Sequence, residues 1–511
     1  MGWNKHNLST RWYNIWNGAY TEQGEIPYSV EKGLYLAQAN NVYSPAGSLS
    51  LRKRPGFSKV RGTTISSTGI VTGMVHLGEI ADEFLLSVSI AGTSHNFYRD
   101  SANPPGAIAG GTDFTIGQDN LVDWILFKDG TNPVAIAVSR LRDLPQSFVA
   151  ATTRANFTIA GTGLTSLKPA LGEVFGGRAL WGDVNRDGTI EDDGVYWSDL
   201  RDGNLITDYT LQRFILETKQ KDKVRAIRAF GDVAIIGKMH NVFVAVVSEA
   251  AAKPYALREF PIGLFEGPIS QQGTLAVNKQ CFWMSYKGIR SIGLNIDFKD
   301  WSQPIRPTIE GLVDTRREFC VGGYDPASGL ILFSVSDGSD TVHKTVIALN
   351  PENGALYIWT LSRNAFANRF VSDEGRLIGG GYTGFFYNEM TGTAGNLDDA
   401  TAVIDGDVIT PRFWLSKFGY KHKITHVFVE VDPIGSEALR VQFRLDDDTS
   451  WSSPTGSPYT ISGTDSRLIA VPIKAYARRI QLRFRNNSAD EAFSLKAVGI
   501  PGDPGNIEVA A

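Results

Sequence analysis

The sequence predicts an all-β protein with a propeller-like main domain, a C-terminal β-sandwich and an extended N-terminal arm. Three observations lead there. Glycine occurs 53 times beside 11 Trp, 17 Tyr and 27 Phe, the mixture of tight turns and sheet-filling rings that many short strands require. Between about residues 60 and 400, short apolar runs alternate with Gly or Asx turns. Beyond about residue 410 apolar and charged residues alternate at period two, as in a half-exposed antiparallel sheet.

Taken in order, residues 1–60 form an irregular arm and docking segment with scattered aromatics (Trp3, Trp12, Tyr13, Trp16), which docks either on a neighbour or on the chain's own body. A weak amphipathic helical pattern runs from Tyr28 to Asn40. Residues 61–400 carry strand patterns such as EFLLSVSI (83–90), NVFVAVVS (241–248), QCFWMSY (280–286) and LILFSVS (330–336). Two hairpin types recur. In SYKGIRSIG (285–293) and GGYTGFFYN (380–388) a glycine turn joins apolar strands; in GGYDPASGLILFSVS (322–336) and VIALNPENGALYIWTL (346–361) the joints are DPASG and NPENG. Modules of roughly 40–50 residues across this span predict about six to eight four-stranded blades, with a stack of β-sandwiches as the competing architecture. The polar, turn-rich stretch 392–410 marks a boundary. Residues 401–511 then give the sandwich, with THVFVEVD (425–432), ALRVQFRLDD (438–447) and ARRIQLRFRNN (477–487), and a loop-like tail.

Bulk properties exclude several classes. With 42% apolar and 20% charged residues the chain is globular rather than disordered. Its 50 Lys+Arg against 54 Asp+Glu, net −4, argue against sequence-specific nucleic-acid binding and suit a surface that DNA slides past. Cys281 and Cys320 make no CxxC pair and read as buried thiols. The N-terminus lacks the basic start and apolar core of a secretory leader, and no run approaches the roughly 18 apolar residues of a membrane span. Synthesis in the cytoplasm is the expectation.

The strongest local motif is DVNRDGTIEDDG (183–194). Asp183, Asn185, Asp187, Thr189 and Asp193 have the spacing of oxygen ligands in a calcium loop, with Gly188 at the sharp turn. Its twelfth position is Gly194 instead of a bidentate Glu, and no helices flank it, so a solvated acidic hairpin tip is the competing reading. If metal binds, Ca²⁺ is the ion and stiffening of the loop its role. GDVAIIGKM (231–239) departs from a phosphate-binding loop in spacing and in Met239, and reads as strand and turn. His422 and His426 lie about 13 Å apart if on one strand at ~3.3 Å per residue, too far for a shared metal. No nucleophile elbow, HExxH pair or Cys/His arrangement is present, so no enzyme is predicted. A propeller glycosidase would need two carboxylates brought together from separate blades.

A family resemblance rests on motifs in order: NNVYSPAGSLSLRKRPGF (40–57), FGGRALWGD (175–183), GVYWSDLRDGN (194–204), GKMHNVFVAV (237–246), FWMSYKGIRSIG (282–293) and ITPRFWLSKFGYKHKITHVFVEVD (409–432). Together they resemble the tail nozzle or hub proteins of short-tailed bacteriophages, the tail tubular protein B and packaged-DNA stabilisation proteins. The resemblance implies a virion protein in a cyclic ring, a hexamer, below the portal and adaptor and beside tail fibre or spike proteins. The ring would retain packaged double-stranded DNA and conduct its ejection. Cyclic closure requires two different complementary faces on each copy. Arg52, Lys53, Arg54, Pro55 and Phe57 of the RKRPGF turn are candidate assembly contacts, with the arm and the sandwich. The alternatives are a calcium-dependent adhesive or carbohydrate-binding β protein and, behind it, a propeller glycosidase.

Overall fold

The computed structural model describes residues 10–501 apart from 15–24, 27–35, 46–49, 79–81, 92–93, 130–131, 150–152, 249–252, 370–374, 390–396, 399–401, 416–420, 433–436, 462–466 and 488–493. The chain is all-β and propeller-like. Seven blades follow one another, opening with the strands Gly69–His76, Val122–Asp129, Leu164–Phe175, Val224–Phe230, Thr274–Val277, Val321–Asp325 and Ala365–Arg369. Each of these packs on the next and the last packs on the first, so they line a closed ring. Within each blade, successive strands pair antiparallel outward. The third blade departs from four strands: the first half of Leu164–Phe175 also pairs with Ile159–Thr162, which carries Leu205–Asp208 beside it.

The turns explain why these segments fold as hairpins. In DPASG, the Asp325 carboxylate accepts from the Ser328 amide at 3.0 Å and Gly329 takes φ +71°. In NPENG, the Asn350 side-chain oxygen accepts from the Glu352 amide at 2.9 Å and Gly354 takes φ +76°. Both are Asx turns closed by a glycine that tolerates the left-handed backbone.

The ring is sealed by the other end of the chain. Blade seven contributes Ala365–Arg369, Arg376–Gly380 and Phe386–Asn388, and its outer strand is Ser58–Lys59, pairing Tyr387 with Lys59. Opening the ring therefore requires breaking a sheet, not only sliding two blades apart.

The sandwich is fused to the propeller. One of its sheets holds Val42–Tyr43, Leu51–Lys53, Ser494–Pro501, His422–Asp432 and Arg467–Ala477, with Thr10–Asn14 on Ser494–Pro501. The other contains Gly406–Ile409, Arg412–Trp414, Glu437–Leu445 and Arg479–Asn486. It continues through Gln38–Asn40 into blade six, where Asn40 pairs with Ile358 of Leu356–Thr360. The result is a single eleven-stranded sheet. One hydrophobic core likewise runs from Ile289 and Trp301 through Leu332, Ile347 and Tyr357 to Val429, Val471 and Leu482. The indole of fully buried Trp359 donates to the Val42 carbonyl at 2.8 Å, pinning blade six to the N-terminal segment.

Residues 38–53, which the sequence places in an arm, thus supply strands to both sandwich sheets. The reason is geometric: two- and three-residue strands are too short to show a period. Of the weak helical pattern Tyr28–Asn40, the described end from Gln38 is strand, paired antiparallel with Gly406–Ile409; residues 28–35 lie outside the described residues. Trp3 and Trp16 also lie outside them, as does the tail beyond Pro501.

Candidate functional site: the central cavity and its rim

The inner strands enclose a cavity of about 420 Å³ to which every blade contributes, with walls from Val75, Trp124, Leu126, Leu275 and Phe366. That volume is in the range of small-molecule pockets. Its polar groups lie on one side, where blades two to five meet. Arg228 donates to Glu173 Oε2 at 3.0 Å and to the Gln271 carbonyl at 3.1 Å. The Gln271 amide reaches the carbonyls of Gly172 (3.1 Å) and Ile227 (3.0 Å) and accepts from the Ile227 N–H at 2.8 Å. Asp123 Oδ2 accepts from the Gly172 amide at 3.2 Å. Four side chains, from blades two, three and four and from the segment leading into blade five, thus form one belt of ties between inner strands.

Burial sets the electrostatics of this belt. It pushes the Asp123 carboxyl up to about 6 against the pull of Arg228, because both hydrogen bonds named for that guanidinium go elsewhere. Burial raises Glu173 as well, with Arg228 opposing. Arg228 loses solvation too, but Glu173 and Asp123 outweigh that and hold it above its usual value. Chemically, two carboxylates in a cavity suggest acid–base work. Glu173, however, accepts from the Val174 amide at 3.0 Å on one oxygen and from Arg228 on the other. The arrangement ties blades together before it can serve as a free acid and base.

One end of the cavity is crossed by the linker between blades five and six. It contains the short helices Arg306–Glu310 and Asp314–Arg317 and ends at Phe319 and Cys320. Arg316 pairs with Asp119, which precedes the inner strand of blade two. Glu318 pairs with Arg140 of blade two and Arg225 of blade four, each at 2.8 Å. The guanidinium carbons of Arg140 and Arg316 lie 4.2 and 4.6 Å from the centre of the Phe319 ring. A segment leaving blade five reaches blade two only by passing over the ring's mouth, so it plugs that end.

The motifs singled out in the sequence fall elsewhere. The strands Arg178–Arg186 and Thr189–Trp197 form a hairpin, and Asp187 and Gly188 (φ +48° and +90°) are its two turn residues; Asp-Gly is the favoured pair for such a turn. Asp183 is buried four residues back, roughly 13 Å along the strand. Arg142 binds it through Nε at 3.0 Å and Lys223 lies 3.6 Å away. Asp187 at the exposed tip accepts from the amides of Thr165 (3.1 Å) and Ser166 (2.7 Å). Asn185 and Thr189 lie nearer the tip, while the bulge between Gly182 and Val184 sets Asp193 across from Asp183. The five residues are thus spread along a hairpin, from its exposed tip at Asp187 to the buried Asp183. Among the described residues, no group of three or more His, Cys, Asp or Glu clusters as a metal site.

The RKRPGF turn is an internal joint. Lys53 is buried and donates to Asn486 at 3.1 Å; Arg54 is buried and donates to Asn41 and to the Thr360 carbonyl, both at 3.2 Å. Phe57 packs edge-on to Tyr387, 4.8 Å between centroids, with Arg363 over it. Arg52 and Pro55 are half-buried beside them. Lys53 thus joins the two sandwich sheets, and Arg54 joins the N-terminal segment to blade six; both candidate assembly residues are buried within the chain. Cys281 and Cys320 are buried, and burial raises both thiols. His422 and His426 share the strand His422–Asp432, half-buried.

Sequence reasoning missed Asp123, Glu173, Arg228 and Gln271. Three of them had a signal: each is a lone charge inside an apolar run, in LVDWILF (121–127), LGEVF (171–175) and AIRAF (226–230).

No family model and no curated protein matches the chain. Among solved structures, it is similar to the β-propeller domain of Cps50 (Swd1) from Myceliophteria thermophila, with 9% identity, TM-score 0.38, and 65% of this chain and 98% of that one covered. It is similar to a putative 6-phosphogluconolactonase from Bacteroides uniformis, with 11% identity, TM-score 0.38, and 64% and 95% covered. An exo-β-1,3-galactanase from Phanerochaete chrysosporium matches at 10% identity and TM-score 0.27, with 88% and 99% covered.

Proposed function

We propose that this chain is a structural component of a short-tailed phage tail, a nozzle or hub protomer that assembles with copies of itself below the portal and adaptor, retains packaged DNA and conducts its ejection. The observation that carries the reading is the fusion of propeller and sandwich through one eleven-stranded sheet and one core, with the N-terminal strand sealing the last blade. A body built this way transmits load without hinging. The charged groups of the central cavity support the same reading, being spent on ties between blades. The linker plugs the channel within the chain, so the conduit for DNA is the lumen between copies. A near-neutral net charge lets DNA pass without sticking.

A second reading, a carbohydrate-binding protein or glycosidase, draws on Asp123 and Glu173 in a cavity of about 420 Å³. Mass measurement of the purified chain, alone and mixed with the adaptor–portal complex, separates the two. A closed ring of several copies, or one formed on the adaptor, is the expected result. A persistent monomer that cleaves or retains glycans overturns it.

A further inference from the structure

The rim between blades two, three and four carries more positive charge than its carboxylates balance. Arg140 and Arg225 share Glu318, each at 2.8 Å. Arg142 and Lys223 share Asp183. Four cations thus face two carboxylates, and the fifth cation nearby, Arg316, is matched by Asp119. Exposed Asp192 adds only a weaker field at Asp183. Arg140, Arg142 and Arg225 are mostly buried, and Lys223 is about two-thirds so, with 30% of its side chain exposed. Uncompensated charge in such a place is costly unless an ion of opposite sign joins it.

There is room for that ion. Arg140, Lys223 and Arg225 line a small cavity of about 30 Å³ together with the carboxylates Asp183 and Glu318, so three cations face two anions across it, and Ser270 and Gln271 are among the remaining wall residues. A water needs roughly 10–15 Å³ measured this way, so the enclosed space takes about two oxygens of an ion whose remainder lies at the mouth beside the partly exposed Lys223, and no sugar or base. The Nε of Arg225 is buried beside it and has no hydrogen-bond acceptor among the described residues.

We propose that this cavity binds a small tetrahedral oxyanion, with inorganic phosphate as the fitting ion, held by Arg140, Lys223 and Arg225. Arg140 and Arg225 already give donors to Glu318, so the orphaned Nε of Arg225 and the Lys223 ammonium are the charge-assisted donors left for phosphate oxygens. Burial, with repulsion from Arg140 and Arg225, lowers the Lys223 ammonium against the pull of Asp183 and Glu318. The ion would sit under Glu318 and brace the plug against blades two and four.

The test uses the full chain in chloride buffer at fixed ionic strength, titrated with orthophosphate by equilibrium dialysis and by thermal unfolding. One phosphate per chain with a saturable rise in Tm is expected. Lys223→Met should weaken that binding at least tenfold, yet in chloride alone unfold at the wild-type Tm or above it, because a surplus cation is gone. A lysine that is only structural gives the reverse, a lower Tm in chloride. Phenyl phosphate should bind at least tenfold more weakly than the free ion; equal binding overturns the restriction to free phosphate. Absence of saturable binding to the wild type overturns the site altogether.

Discussion

Around one central cavity, the inner strands of blades two to five are tied through charge, whereas those of blades six, seven and one are not. In the first arc Arg228, Glu173, Asp123 and Gln271 bridge neighbouring inner strands. In the second, backbones close up over small residues. A Cβ on Gly380 of blade seven would lie 2.5 Å from the Val71 side chain, and one on Gly73 of blade one 2.3 Å from the Val122 carbonyl of blade two. At the inner strands the polar tie between blades seven and one is neutral, Asn364 donating to the Val71 carbonyl at 3.0 Å; the ion pair of Arg61 with Asp100 lies farther out. The difference teaches how a ring spreads its risk. Glycine contacts tolerate no added atom but are indifferent to pH. A charged belt tolerates side-chain adjustment but answers to protonation and to loss of a partner.

The contrast is broken most severely by Arg228→Met, which leaves Glu173 and Asp123 buried without their cation. The expected cost is about 3–5 kcal/mol, read as loss of unfolding free energy in urea. A cost below about 1 kcal/mol would mean the belt bears no load. In the neutral arc, Gly73→Ala drives a methyl group into backbone and should cost about 1–3 kcal/mol by the same assay, with no change in its pH dependence. The smallest effect sharpens the distinction. The Asp123 carboxyl is raised to about 6 in the fold and near 3.9 when unfolded. The folded state therefore binds this proton more tightly, and the ionised carboxyl costs stability above pH 6. That cost fades as pH falls through 6 towards 4. Asp123→Asn should be more stable than the wild type by up to about 3 kcal/mol at pH 7.5 and equal to it near pH 4. A variant less stable than the wild type at pH 7.5 but equal to it near pH 4 would show that the charge itself is needed.

Much of the fold was legible because it is local. The DPASG and NPENG joints and the glycine hairpins at 285–293 and 380–388 are hairpins in the structure, since turn chemistry acts within four or five residues. What escaped is long-range. Nothing within Ser58–Lys59 announces that it completes a blade more than 300 residues later in the chain. Nor does RKRPGF reveal that Lys53 and Arg54 turn inward to Asn486 and Thr360. The calcium-like spacing of Asp183, Asn185 and Asp187 is the same period of two that a strand imposes, so composition alone did not separate ligand loop from hairpin. The belt escaped because its members come from four separate segments and share no motif.

The most direct measurement is a cryo-electron-microscopy map of a phage virion that carries this chain. The account predicts a seven-bladed disc fused to its sandwich, repeated about the tail axis below the adaptor, with the DNA path running between copies. A tail without this density, or a DNA path threading the channel within a single chain, would contradict it.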